Sequence, residues 1–225
     1  MSTASYLKRT PSSDGNRSVF TWAAWIRRET LFQWQRIFSI QNSPGDVSGG
    51  DGNAAMQFTD DGYFRWFDTM EHSDSQDTTN IDLQTTARFR DAHGWVHFMA
   101  VFDAIRANNE QRASLYVNGT RISHYTSQDW GTVNQKSSMN MRGNMHMIGA
   151  RQPGGTISET CPMGIFDNYF VDGLALTPDE FGYYRTDRGS LSTGCKAADY
   201  SEFKGEWYPL APNIIKSKIE DKGGF

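Results

Sequence analysis

The chain has 225 residues, a formal charge of −4 with acidic and basic residues interspersed, and 13% aromatic residues (seven Trp, nine Tyr, fourteen Phe). That balance gives no general electrostatic reason to bind nucleic acid or an anionic membrane. No run approaches the roughly 18 apolar residues of a membrane span, and "MSTASYLKRT" lacks the apolar core of a secretory signal.

"VFTWAAWIRR", from Val19, puts Phe20, Trp22, Ala24 and Ile26 on one face and Val19, Ala23 and Trp25 on the other, which predicts a strand covered on both sides. "RIFSI", Arg36–Ile40, has strand length, and "QNSPGDVSGGDGNAA" reads as a loop by composition. "MQF" and "YFRWF", split by "TDDG", predict a hairpin closed at Asp61-Gly62. "EHSDSQDTTN" is polar and loop-like. "GWVHFMAVFD" alternates Val96, Phe98, Ala100 and Phe102 with Trp95, His97, Met99 and Val101, the clearest strand of the chain.

"AIRANNEQR" reads as a charged connection to "SLYVNGTRIS", where Asn118-Gly119 sits between alternating apolar residues. Both turn residues tolerate the positive φ of a type I′ turn, so this is a strong hairpin signal. "NMHMIGAR" and "GIFDNYFVDG" supply two more strands. "LTPDEFGYY" predicts a short helix near 177–184, with Thr177 as cap, Pro178 in first position and Glu180 completing a capping box. "EWYPLAPNII" reads as a last strand held by Trp207 and Tyr208, and "KSKIEDKGGF" as an extended tail.

Roughly nine to twelve short strands with almost no helix describe an all-β sandwich of two antiparallel sheets. The expected organisation is one domain over 1–184 and a C-terminal extension over 185–225, an arm that packs on the domain or on a neighbouring subunit. Cys161 and Cys195 are too few for a disulfide framework or a four-ligand zinc site, and spacing alone leaves free thiols and a single bridge both open. "NRS" at Asn16 and "NGT" at Asn118 fit the glycosylation pattern, the second being explained as a turn.

Taken together, "SYLKRTPSSDGNRSVFTWAAWIRR", "RIFSI", "FRDAHGWVHFMAVFDAI", "RASLYVNGTRI", "MHMIGAR" and "FDNYFVDGLALTPDEFG" resemble the successive blocks of laminin-G-like jelly-roll domains (concanavalin A-like fold) found in tail and virion proteins of marine bacteriophages. "VDGLALTPDEFG" is the most specific of these blocks, which span about residues 5–184. The resemblance implies a two-sheet jelly roll on a virion, as a compact stand-alone protein or as part of a longer chain.

Hydrolases of this broad fold place paired carboxylates at alternating positions on one strand face. "TDDG", "DTMEHSD" and "SETC" are the nearest clusters, and none alternates within a strand. There is no "GxSxG" elbow. His97 and His146 fall inside predicted strands and read as core or sheet residues, while His72, His93 and His124 fall in loops without metal-ligand spacing. Some laminin-G-like relatives bind calcium at the sheet rim. The oxygen ligands to test here are Asp46, Asp51 and Asn53 in one loop with Asp60 and Asp61 in the next, although the same residue types make turns without an ion. Trp34 and Trp130, both in polar surroundings, are the glycan-stacking candidates, against the alternatives of plugging a core edge or meeting a neighbouring subunit. Trp22, Trp25, Trp66 and Trp95 lie in strands and are assigned to packing. Met139, Met141, Met145 and Met147 suit an irregular core edge or a protein contact.

The leading expectation is a non-enzymatic structural protein of a bacteriophage virion, displayed on the capsid or tail as a decoration, fibre or appendage component. Its partners would be other virion proteins and copies of itself, with no nucleic acid, membrane insertion or required cofactor. The alternatives are an adhesin recognising host surface glycan and a glycan hydrolase of the same fold.

Overall fold

A computed structural model describes residues 5–41, 53–69, 80–152, 155–160, 162–185 and 206–224. In chain order, the first strands are β1 (Leu7–Arg9), β2 (Val19–Arg28), β3 (Gln35–Gln41), β4 (Asn53–Phe58), β5 (Tyr63–Thr69), β6 (Asn80–Arg88) and β7 (Val96–Asp103). A single helical turn, α1 (Asn109–Arg112), precedes β8 (Ala113–Val117), β9 (Thr120–Arg121), β10 (Tyr125–Trp130), β11 (Met145–Ile148) and β12 (Met163–Asp172). A 3-10 turn, Pro178–Glu180, leads to β13 (Gly182–Arg185), then β14 (Glu206–Pro209) and helix α2 (Pro212–Glu220).

Among the described residues the strands form a seven-stranded sheet, β1-β11-β3-β4-β5-β6-β10, a five-stranded sheet, β12-β2-β7-β8-β9, and a small β13-β14 ladder. All the pairings are antiparallel. The two large sheets enclose an aromatic core in which Phe64 of β5 stacks on Phe98 of β7 at 4.4 Å and Trp22 of β2 lies 6.3 Å from Phe64. Trp22 is fully buried and its indole N–H donates to Asn168 Oδ1 at 2.8 Å, so the most deeply placed polar atom of that ring is satisfied.

One carboxylate enters this interior. Asp68 follows Phe64 and Trp66 on the inner face of β5 and is fully buried. It accepts from the hydroxyl of Ser137, and from Ser138 through its hydroxyl at 2.6 Å and its N–H at 3.2 Å. Burial outweighs these bonds and pushes its carboxyl up to about 6. Asp68 thereby ties the loop before β11 to the end of the sandwich.

The outer faces differ. That of the five-stranded sheet carries Ala23, Met99, Val101 and Val171 and is covered by Leu176, Phe181 and the Ile215 and Ile219 side chains of α2. On the seven-stranded sheet, Met145 and Met147 are covered by Ala150 and Ile157 from the segment after β11, while Met139 joins the main core.

Several expectations are corrected at element level. "KSKIEDKGGF" is not extended: its first half completes α2, which Lys222 fastens to Glu180 at 2.5 Å and Lys218 to the Asp179 carbonyl at 3.0 Å. "NEQR", inside the charged connection, forms α1, with Asn108 Oδ1 accepting from Gln111 N at 3.3 Å. "NIDLQTTAR" and "YTSQDW", which sequence alone did not mark as strands, are β6 and β10. The short helix near 177–184 is the 3-10 turn, with the Glu180 carboxylate accepting from Thr177 N at 2.9 Å.

Candidate functional site

Asn118, in the Asn118-Gly119 turn, stands at the rim of an open cavity. Asn118 and Gly119 have φ of 47° and 71°, the left-handed pair that a type I′ turn needs. The turn is locked to β7 because Asn118 N donates to the His97 carbonyl and His97 N donates to Asn118 Oδ1, each at 2.9 Å. Tyr184 on β13 then donates to the Asn118 carbonyl at 2.7 Å, and its hydroxyl lies 2.8 Å from Thr120 Oγ1.

Trp207 on β14 fits into the space that two glycines leave. A Cβ on Gly119 would overlap its six-membered ring, and one on Gly182 would come within 2.5 Å of it. Trp95 is accommodated in the same way, since a Cβ on Gly164 would lie 2.8 Å from its ring. The cavity measures about 1040 Å³ and is lined chiefly by Trp25, Trp95, Phe166, Tyr184, Trp207 and Tyr208, with Asn118, Thr120 and Glu206 as polar groups. Trp95 and Phe166 are 42% and 50% exposed, edge to face with centroids 6.3 Å apart, and the Arg27 guanidinium lies 5.2 Å from the Trp95 ring.

His97 lies beneath, buried between Trp25, Phe181 and Trp207 at 5.3, 6.1 and 6.1 Å. Its Nδ1 has no hydrogen-bond partner, and burial pulls the imidazole down to about 3, so the ring is neutral at physiological pH. It contributes an apolar, uncharged support. His146, on β11 between β1 and β3 of the other sheet, is fully engaged, with Nε2 accepting from Asn140 N at 3.0 Å and Nδ1 lying 2.9 Å from the Asn144 carbonyl.

The sequence candidates divide. Trp34 is 40% exposed and borders a second cavity, of about 430 Å³, on the outer face of the seven-stranded sheet beside Arg36, Gln57, Arg65, Phe67 and Glu159. Trp130 takes the core-edge alternative: its register partner is Ile81 on the inner face, and its half-buried ring packs on the core with Tyr125 edge-on at 6.3 Å. Trp95, assigned to packing, is instead an exposed wall of the larger groove, and Trp25 lines it too. Phe166, Tyr184 and Trp207 were not singled out as binding residues. They come from three distant stretches: β12 pairs with β2 and sets Phe166 opposite Trp25, and the β13-β14 ladder sets Tyr184 opposite Trp207.

Of the calcium candidates, Asp46 and Asp51 lie outside the described residues, as do Cys161 and Cys195. Asp60 and Asp61 are exposed at the β4–β5 turn, where Asp60 Oδ1 accepts from Asp61 N at 3.1 Å and Gly62 N bonds the Thr59 carbonyl at 2.9 Å. Their geometry is that of a hairpin tip. Among the described residues no group of three or more His, Cys, Asp or Glu is arranged to hold a metal ion.

Two antiparallel sheets packed face to face, with polar and aromatic hollows on their outer surfaces, define the class as a lectin-like jelly roll. Residues 2–180 match the laminin G-type profile of the concanavalin A-like lectin/glucanases superfamily, and the chain belongs to that superfamily. No curated protein matches it. Among solved structures, it is similar to the NanB sialidase of Streptococcus pneumoniae with 13% identity and a TM-score of 0.51, over 77% of this chain and 27% of that one. The CBM40 module of a Ruminococcus gnavus IT-sialidase has 16% identity and a TM-score of 0.49, over 77% and 95% of the two chains. A heptameric SAP-like pentraxin from Limulus polyphemus has 16% identity and a TM-score of 0.48, over 73% and 68%. At these identities the likeness is one of fold.

Proposed function

We propose that the protein is a non-enzymatic carbohydrate-binding module displayed on a bacteriophage particle, as a decoration, fibre or appendage component that meets glycan through the Trp95–Phe166 groove. The observation that carries the binding reading is a cavity walled by two half-exposed aromatic rings and rimmed by Asn118, Thr120, Tyr184 and Glu206. Sugar rings present flat C–H faces that pack on aromatic surfaces and hydroxyls that need polar partners at the edge, and this groove offers both kinds of surface. The superfamily holds both lectins and glucanases. Binding without hydrolysis is favoured because Glu206 is the one carboxylate among the described lining residues, whereas glycoside hydrolysis uses two carboxyl groups about 5–9.5 Å apart.

The virion setting rests on the sequence blocks resembling phage tail and virion proteins, and in it other virion proteins and copies of this chain are the partners. Trp95→Ala and Phe166→Ala should each weaken binding on an array of bacterial envelope glycans at least tenfold, with circular dichroism and thermal unfolding little changed. Unaltered array binding by both variants would refute the groove. Reducing ends released from any bound polysaccharide would refute the non-enzymatic role. Absence of the protein from purified particles, by immunogold labelling, would refute the setting.

A further inference from the structure

The opposite outer face holds a site of different chemistry. The cavity beside Trp34 has two guanidinium groups in its wall, Arg36 and Arg65, and a single carboxylate among the described lining residues, Glu159. The strands set this pattern. Arg36 pairs with Gln57 and Gln57 with Arg65, so three consecutive strands, β3, β4 and β5, present these side chains side by side on the outer face. The segment after β11 folds over the sheet and brings Glu159, whose carboxylate is shared between Arg36 at 2.5 Å and Arg151 at 3.0 Å. Arg65 is held side-on by both oxygens of Asp82, at 2.6 and 2.9 Å.

The ion pairs leave a positive remainder. Glu159 answers two guanidiniums, and Arg36 is 6% exposed with an Nη1 that has no acceptor. Gln57 Oε1, in the same wall, is also buried without a donor. A buried charge left partly unpaired is costly, and an entering anion would offset that cost most strongly where water is already excluded. Both guanidiniums lie over the Phe67 ring, at 5.0 and 5.2 Å from its centroid, a cation–π contact that helps to hold them in the cavity wall. Trp34 supplies an exposed ring beside them, and Asn53 and Thr69 supply polar edges.

We propose that this cavity binds the acidic group of a carboxylated or sulfated sugar, with Arg36 and Arg65 opposite the anion and Trp34 against the ring of the sugar. Arginine is suited to both anions because its planar fork matches their paired oxygens. The site is on the other sheet from the Trp95 groove, so the inference does not depend on that groove binding anything.

The test is an NMR titration of the full chain with three probes: oligogalacturonate, a sulfated galactan oligosaccharide and the neutral galacto-oligosaccharide. Either acidic probe should shift the Trp34 indole and the Arg65 Nε–Hε signals, with the neutral probe leaving them in place. Whichever acidic probe acts tells carboxylate from sulfate. Trp34→Ala and Arg65→Gln should each weaken that binding at least tenfold, 0.5 M NaCl should weaken it further, and Trp95→Ala should leave it unchanged. Arg36→Lys, which keeps a charge for Glu159 but loses the fork, should also weaken it. If neither acidic probe moves these signals, if the neutral probe binds as well, or if Trp95→Ala abolishes the effect, the proposal fails. Because the signals are read on the unmodified protein, a misfolded variant does not rescue it.

Discussion

Gly119 shows how one residue of sequence can serve two ends. Gly119 is required by its turn, and its missing side chain also leaves the space that the Trp207 ring fills. Gly119→Ala should therefore cost about 1–3 kcal/mol through strain at positive φ and displacement of the ring. It should lower the unfolding temperature, change Trp fluorescence and weaken glycan binding. A variant with native fluorescence and stability would show that the ring does not depend on the glycine. The hairpin itself was legible from Asn118-Gly119. Trp95 was not read correctly, because alternation gives the face on which a residue lies but not how much of that face another segment covers.

Two buried titratable groups predict a pH profile. At Asp68 the folded carboxyl, raised to about 6 from 3.8, binds more proton than the unfolded one across that window, so its contribution to stability falls as pH rises. At His97 the folded imidazole, lowered to about 3 from 6.5, binds less proton than the unfolded one, so its contribution is lost as pH falls below 6.5. Each slope reaches about 1.4 kcal/mol per pH unit, with opposite signs between about pH 4 and 6. Wild-type stability should be nearly flat there as far as these two groups decide it. Asp68→Asn should leave the His97 slope exposed, so that urea midpoints rise with pH across the window. A variant profile as flat as wild type would contradict the assignment of the two groups.

Among the elements, α2 was the least legible. Ile215 and Ile219 are spaced by one helical turn, but they stand in a short, lysine-rich stretch whose single apolar stripe has meaning only against the face it covers. For β2 that cover was expected, since its residues are apolar on both sides, and Ala23 is buried there together with Met99, Val101 and Val171 of its neighbours. Ile219→Ala should destabilise the protein by about 2–5 kcal/mol, read by chemical denaturation, because it opens a cavity under the helix. A loss below about 0.5 kcal/mol, the range of an exposed site, would mean that α2 is not a working part of the fold. The strands β6 and β10 escaped notice for a related reason. Their outward residues are polar, Asp82 and Gln84 on one and Ser127 and Asp129 on the other, so alternation is diluted to a few inward side chains such as Ile81 and Leu83.

At the scale of the whole molecule, composition, turn residues and alternation were enough for the two-sheet sandwich, because each of those signals is local. The groove was not legible, since it gathers Trp95, Asn118, Phe166, Tyr184 and Trp207 from separate stretches of the chain, and nothing local in their neighbourhoods announces the meeting. The exposure of Trp34 was legible, because its polar surroundings already marked it as outward-facing. The dependence of the groove on β14 has a temporal consequence. During synthesis Trp207 leaves the ribosome after every strand of the two large sheets, so a nascent chain can assemble both sheets before this ring reaches its seat beside Gly119 and Gly182.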